Sequence, residues 1–361
     1  IEPTPARWDE DALDHYRQML KGLRQRGLTP MVTLHHYVNP LWVVERNAWE
    51  TGEIVTLFER YVRKVVKALG EHVNLWCTIN EPNAYMYHAW VEGVFHPGKK
   101  DIGLALRVAH NILRAHAAAY RAIHELRPEA MVSLPILFMP IEPANPNSSL
   151  DRRVARTQFD LFSGLFPDAI RTGQMRRLFG KPTAIPEVKG TLDFFGLQYY
   201  TAFVSRFDLL SPGELFGRRS FPSNAELDDA RYYASYPPGF FWSLKWARDF
   251  GLPIYVTENG IGDEADRLRP RYMLTHLREL WKAVNYNWGV RGYFHWSLVD
   301  NFEWERGWTH RFGLYAMDTE TLVRTPRKSA ALYAEICKSS SLSSDMVARY
   351  APELLETMFP G

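Results

Sequence analysis

Two glutamates, Glu81 and Glu258, each close an apolar run that reads as a strand. The first run is Leu75-Trp76-Cys77-Thr78-Ile79-Asn80-Glu81-Pro82, and the second is Pro253-Ile254-Tyr255-Val256-Thr257-Glu258-Asn259-Gly260. An ionisable side chain that ends a buried run and is followed by Pro or by Asn-Gly belongs at the mouth of a sheet. In parallel α/β sheets and barrels, that mouth is where chemistry happens. Two carboxylates arriving there from different strands suit acetal hydrolysis. One protonates the leaving oxygen, while the other attacks the anomeric carbon or activates water. The two must sit in different environments, because one has to hold a proton while the other stays charged. Taken singly, a glutamate at a strand end is more often a helix cap or a salt-bridge partner.

The elements that would carry these residues alternate along the chain. Pro30 to His36 reads as a strand, and Ile54, Leu57, Phe58, Tyr61, Val62, Val65, Val66 and Leu69 form one face of a following helix. Val73 to Asn80 is the next strand, and Leu104 to Leu126 is an Ala-rich helix stopped by Arg127-Pro128. A strand over Met131 to Pro140 leads through a Pro/Asn loop to a helix over Asp151 to Phe162. Leu192 to Tyr200 is a strand, followed by an irregular stretch to Pro238. The pattern continues with a helix over Phe240 to Phe250, the Pro253 to Thr257 strand, a helix over Arg271 to Val284, a strand over Val290 to Val299 and a helix over Ser329 to Ile336. About six β-then-α units imply parallel strands with right-handed crossovers. Polar and aromatic clusters at the strand ends favour a barrel over an open sheet. The expected architecture is α/β, of (β/α)8 TIM-barrel type but incomplete. It comprises one domain over residues 1–339 and a C-terminal extension over 340–361.

Composition narrows the alternatives. The 43 basic and 41 acidic residues leave a net charge of +2, which gives no bias toward nucleic acid or an anionic membrane. No apolar run approaches membrane-spanning length, and no glycine-rich phosphate loop follows a strand. Two cysteines, Cys77 and Cys337, make no disulfide framework, so a reducing, cytoplasmic setting is expected. Aromatic residues make up 14 %, including 12 Trp and 18 Tyr, which fits either a large core or stacking on sugar faces. The pair His35-His36 lacks further ligands at metal spacing, so no metal or other cofactor is expected.

Beyond the two glutamate runs, the chain contains Thr33-Leu34-His35-His36, His110-Asn111 and Gly196-Leu197-Gln198-Tyr199-Tyr200. It also contains the run His295 to Trp304, then Arg311-Phe312-Gly313-Leu314 and Arg327-Lys328-Ser329-Ala330. Together with Thr-Ile-Asn-Glu-Pro and Thr-Glu-Asn-Gly, these motifs resemble glycoside hydrolase family 1, whose members are retaining β-glycosidases on an eight-stranded TIM barrel. The closest tone is that of broad-specificity prokaryotic β-glucosidases and β-galactosidases. The resemblance implies that Glu81 is the acid/base and Glu258 the nucleophile. It further implies that Asn80 binds the sugar 2-OH, Tyr200 donates to Glu258, His36 contacts the 3-OH and Trp296 floors the glycone site. Glu303 would bind the 4- and 6-hydroxyls and Trp304 the 3-OH. Plain barrel packing is the competing reading for Trp296 and Trp304. The substrates implied are small β-glycosides or oligosaccharides, with a free 6-hydroxyl preferred to a 6-phosphate beside Glu303.

Two departures from the family pattern stand out. Gln198 occupies a place where the family usually has Asn. The opening Ile1-Glu2-Pro3 and Trp8-Asp9-Glu10 resemble the segment just after the second barrel strand. On that reading the first two strands are absent, together with a strand-one Gln and a strand-two Arg of the glycone clamp. The open edges would then need cover. One candidate is an apolar helix face in the extension (Met346, Val347, Tyr350, Leu354, Leu355, Met358, Phe359), another is a second subunit in a homo-oligomer, and a third is a partial, locally dynamic product. The expectation is weakened, broad β-glycosidase activity. The alternative is a non-catalytic remnant that binds sugar or a hydrophobic ligand.

Overall fold

A computed structural model describes residues 1–360. It divides into two compact units, Ile1–Leu137 with Leu161–Gly196, and Phe138–Asp160 with Leu197 onward.

In the first unit the strands Met31–His35, Leu75–Ile79 and Met131–Ser133 form a parallel sheet, with Cys77 opposite both Thr33 and Ser133. Trp76 to Ile79 are buried without alternation, as expected of a strand covered on both faces. The helix Glu53–Leu69 buries Ile54, Phe58, Val62, Val65, Val66 and Leu69, the face given by their spacing. Each such side chain stabilises the fold by about 1.5–3 kcal/mol. Helix Ile102–Leu126 packs against it. This second helix starts where the Asp101 carboxylate accepts the Leu104 amide at 2.9 Å. It ends at Arg127, ahead of Pro128, which disfavours helical backbone before it.

Several helices go beyond the sequence reading, among them two in this unit. Glu10–Gln25 is capped by Asp9 and buries Leu13 and Leu20, while Leu165–Thr172 ends at the left-handed Gly173. The strand expected over Met131 to Pro140 is interrupted, because Ile136–Leu137 is separate from Met131–Ser133. Pro135 has no amide to give a ladder. Its carbonyl instead accepts the Glu81 amide at 3.0 Å.

In the second unit Ile254–Asn259 is flanked by Val290–His295, in parallel, and by Phe195–Tyr199. The helices Pro237–Arg248 and Arg269–Asn285 pack on each other. The stretch read as irregular holds an antiparallel pair, Phe203–Phe207 with Gly217–Ser220, and a short hairpin, Glu226–Leu227 with Ala234–Ser235. The C-terminal segment is helical in two pieces, Ser344–Tyr350 and Leu355–Met358, broken where Pro352 follows Ala351. Met346, Val347 and Tyr350 are buried with Met273, Leu274, Leu277 and Leu332, so this segment packs on the helices Arg269–Asn285 and Lys328–Ser339. Among the described residues no helix is long and apolar enough to cross a membrane.

Candidate active site

Glu81 stands where the strand Leu75–Ile79 gives way to the short helix Pro82–Met86. Pro82 occupies the first helical position, where its missing amide costs nothing. Glu81 itself is left-handed, at φ 38° and ψ 60°, a conformation that costs a non-glycine residue of order 1–3 kcal/mol and is maintained by its surroundings. The Pro135 carbonyl holds its amide, and the Tyr37 hydroxyl donates to Oε2. Its carboxyl is 8 % exposed, next to Asn80 at 2 %. The Asn80 amide nitrogen Nδ2 donates to His36 Nε2 at 3.0 Å. Burial pushes His36 down to about 4, so the ring is neutral at ordinary pH. With Nε2 accepting, its proton sits on Nδ1. His36 and Asn80 thus meet, with Glu81 the next residue along the chain. Tyr37, which the sequence reading missed, joins them through a left-handed turn at φ 65° that no motif announces.

Glu258 lies inside the strand Ile254–Asn259 and is 9 % exposed. Both of its oxygens are held. Gln198 Nε2 donates to Oε1 at 2.7 Å, and the Tyr200 hydroxyl donates to Oε2 at 2.5 Å. Gln198 and Tyr200 are two apart on one extended run, so their side chains share a face. That spacing was the available signal for Gln198. The next residue, Asn259, ties the strands together behind the carboxylate. Its Nδ2 donates to the Tyr199 carbonyl at 2.7 Å and to the Tyr272 hydroxyl at 2.8 Å, and its Oδ1 accepts from Tyr293 at 2.9 Å. Gly260 is obligatory for a steric reason: a Cβ there would lie 1.9 Å from the Trp296 carbonyl oxygen.

Trp296 is anchored by its amide, which donates to Asn259 O at 3.0 Å. The loop that follows is fixed by Asp300, whose carboxylate takes both Arg327 Nη atoms at 2.9 and 3.0 Å and the Gly313 amide at 2.9 Å. Glu303 accepts from Asn301 Nδ2 at 2.8 Å, and burial raises its carboxyl above the usual carboxylate range. Trp304 is left-handed at φ 48°. In this unit, therefore, Tyr200 touches Glu258 directly, Trp296 joins through the Asn259 backbone, and Glu303 and Trp304 occupy the loop braced by Asp300. Among the described residues no group of three or more His, Cys, Asp or Glu side chains is placed to hold a metal ion.

Residues 3–342 match the family described as Glycosyl hydrolase family 1. The chain is 32 % identical to the Beta-galactosidase of Pyrococcus woesei, over 91 % of this chain and 72 % of that protein. It is 31 % identical to Beta-glucosidase A of Thermotoga maritima, over 93 % of this chain and 79 % of that one. Among solved structures, a beta-glycosidase from Pyrococcus horikoshii superposes with a TM-score of 0.90 at 36 % identity, over 96 % of this chain and 80 % of that chain. The chain belongs to glycosyl hydrolase family 1: it is a glycoside hydrolase of the (β/α)8 TIM-barrel fold.

Proposed function

We propose that the chain is a retaining β-glycosidase acting on terminal β-glucosides and β-galactosides, with Glu258 as nucleophile and Glu81 as acid/base. The observation that carries this reading is the Glu258 carboxylate, nearly buried with one donor on each oxygen. Donors aimed at the charged form keep a carboxylate ionised and fix its plane, as a nucleophile requires. In the first step a Glu258 oxygen bonds to the anomeric carbon, the bond to the leaving oxygen breaks, and that oxygen takes the Glu81 proton. In the second step water gives a proton to Glu81 and its oxygen bonds to the anomeric carbon as the glycosyl ester breaks, restoring both carboxyls.

Asn80, His36 and Trp304 are assigned to the sugar hydroxyls, Trp296 to the floor and Glu303 to the 4- and 6-positions. The substrate class is supported by the names of the related proteins, a Beta-galactosidase and a Beta-glucosidase A. Residues 1–339 form the catalytic domain on this reading and 340–361 an extension, in keeping with a family match over 3–342. A cytoplasmic location is supported by two cysteines that are not joined in a disulfide and by 31 % identity to the Cytosolic beta-glucosidase of Homo sapiens. The test is proton NMR of the first product released from an aryl β-glucoside. Early β-glucose supports double displacement, and early α-glucose contradicts it.

A further inference from the structure

Tyr200 puts its hydroxyl 2.5 Å from Glu258 Oε2. A tyrosine ring swings on two torsions, so a bond made at its far end survives only where packing removes the other rotamers. Two rings close around this one. Tyr233 lies 5.4 Å away, tilted by 30°, and Phe312 lies 5.9 Å away, edge-on at 82°. Tyr233 and Phe312 also meet each other at 5.9 Å. Tyr233 is backed in turn by the buried cluster of Ile261, Leu268 and Tyr272.

The hairpin that carries Tyr233 is pinned on both sides of Tyr200. The Tyr199 hydroxyl donates to the Tyr236 carbonyl at 2.6 Å, and the Ala234 amide donates to Thr201 Oγ1 at 3.1 Å. Asp228 closes the turn: its amide donates to the Tyr233 carbonyl at 2.9 Å, and its carboxylate accepts the Tyr232 amide at 2.7 Å. The next ring out, Tyr232, is covered by the Arg306 guanidinium and meets Tyr233 edge-on at 4.7 Å. Ring, backbone and turn all converge on the residue that orients the carboxylate.

We propose that Tyr233 is a positioning residue for the glycosidase reaction, its ring holding Tyr200 in the rotamer that keeps the phenol on Glu258. This inference rests on the reading of Glu258 as nucleophile and adds a residue to it. Tyr233 acts through Tyr200, so its contribution must disappear when the Tyr200 hydroxyl is absent. Plain core packing makes the opposite forecast, because the cost of a packing defect does not depend on that oxygen.

The test is a double-mutant cycle of wild type, Tyr200→Phe, Tyr233→Leu and the double variant. It is read as the rate of covalent inactivation by an activated 2-deoxy-2-fluoro-β-glucoside, with melting temperature recorded alongside. Tyr233→Leu is expected to slow inactivation about tenfold in the wild-type background, a ~1.4 kcal/mol effect, and by less than about twofold in the Tyr200→Phe background. Tyr233→Phe, which keeps the ring, is expected to restore the wild-type rate. A tenfold loss that persists without the Tyr200 hydroxyl, or a Tyr233→Leu enzyme as fast as wild type, overturns the proposal. Should Tyr233→Leu fail to fold, Asp228→Ala removes the acceptor of the Tyr232 amide, loosens the same turn with the ring intact and enters the same cycle under the same criteria. Absence of any adduct on wild-type Glu258 would instead remove the parent reading. An adduct at Glu258 with an additive cycle removes only the role of Tyr233.

Discussion

Replacing Gln198 by Met removes one donor from the proposed nucleophile while nearly preserving side-chain length and volume. Gln198 is 1 % exposed, and its Nε2 sits 2.7 Å from Glu258 Oε1. A hydrogen bond to a charged group is worth about 1.5–3 kcal/mol, against about 0.5–1.5 kcal/mol to a neutral one. Glycosylation converts the carboxylate into a neutral ester. Losing the donor therefore makes the oxygen intrinsically more reactive by roughly 1 kcal/mol, the difference between those two ranges. The opposing effect is loss of orientation. Without that donor the carboxylate plane is held less firmly, and a displacement of about 1 Å can cost on the order of 100-fold. Orientation wins, leaving a net fall in kcat/KM of about tenfold on the pH plateau for an aryl β-glucoside. The acid limb of the profile moves to higher pH, because the ionised form has lost a partner. A Gln198→Met enzyme that melts within a few degrees of wild type yet turns over at an unchanged or higher plateau rate would refute the claim that Gln198 aims the carboxylate.

Other consequences follow from the same contacts. Burial holds His35, His36 and His116 at about 4 and His276 and His295 at about 3, whereas all five titrate near 6.5 in the unfolded chain. The unfolded state therefore takes up protons that the folded state refuses. Their contribution is complete above about pH 6.5 and is lost as pH falls, at up to about 1.4 kcal/mol per pH unit for each ring. Melting temperature is expected to drop between pH 6.5 and 5, above the carboxylate range, and a flat profile there contradicts the burial. Asp300→Asn leaves Arg327 without its bidentate partner in a site where the two side chains are 1 % and 8 % exposed. A loss of about 3–5 kcal/mol is expected from chemical denaturation, and less than about 1 kcal/mol would mean the loop is not braced there. The half-buried carboxylate of Glu303 is expected to reject a 6-phosphoglucoside by at least about 100-fold relative to the glucoside, and Glu303→Ser to narrow that gap. Equal turnover of both substrates by the wild type would displace Glu303 from the 6-position.

The parts of the molecule that were legible in the sequence are those where local pattern and tertiary role coincide. Glu81 and Glu258 announced themselves because each closes an apolar run and is followed by Pro82 or by Asn259-Gly260, the first run being buried without alternation and the second burying alternate residues up to Glu258. The helix Glu53–Leu69 was readable because one apolar face repeats over its whole length. Gln198 was visible only as a departure from a motif, although its offset of two from Tyr200 placed both on one face. The Tyr37 contact was hidden, because it depends on a left-handed backbone that the surrounding fold imposes. The strand over Met131 to Pro140 was overextended because apolar content outweighed Pro135, the residue that interrupts it and turns a carbonyl toward Glu81. The pair Phe203–Phe207 and Gly217–Ser220 was missed since charged Arg206, Arg218 and Arg219 blur its alternation. Gln158, far off in sequence, closes that connection onto the Glu214 and Gly217 carbonyls at 2.7 and 2.6 Å.

The most direct test is intact-mass spectrometry after incubation with an activated 2-deoxy-2-fluoro-β-glucoside, followed by peptide mapping, with Glu258→Gln as the control. The account predicts a single adduct of one fluoroglucosyl group on the peptide containing Glu258, and none in the control. A folded wild-type protein that remains unmodified, or an adduct on any other residue, would contradict it.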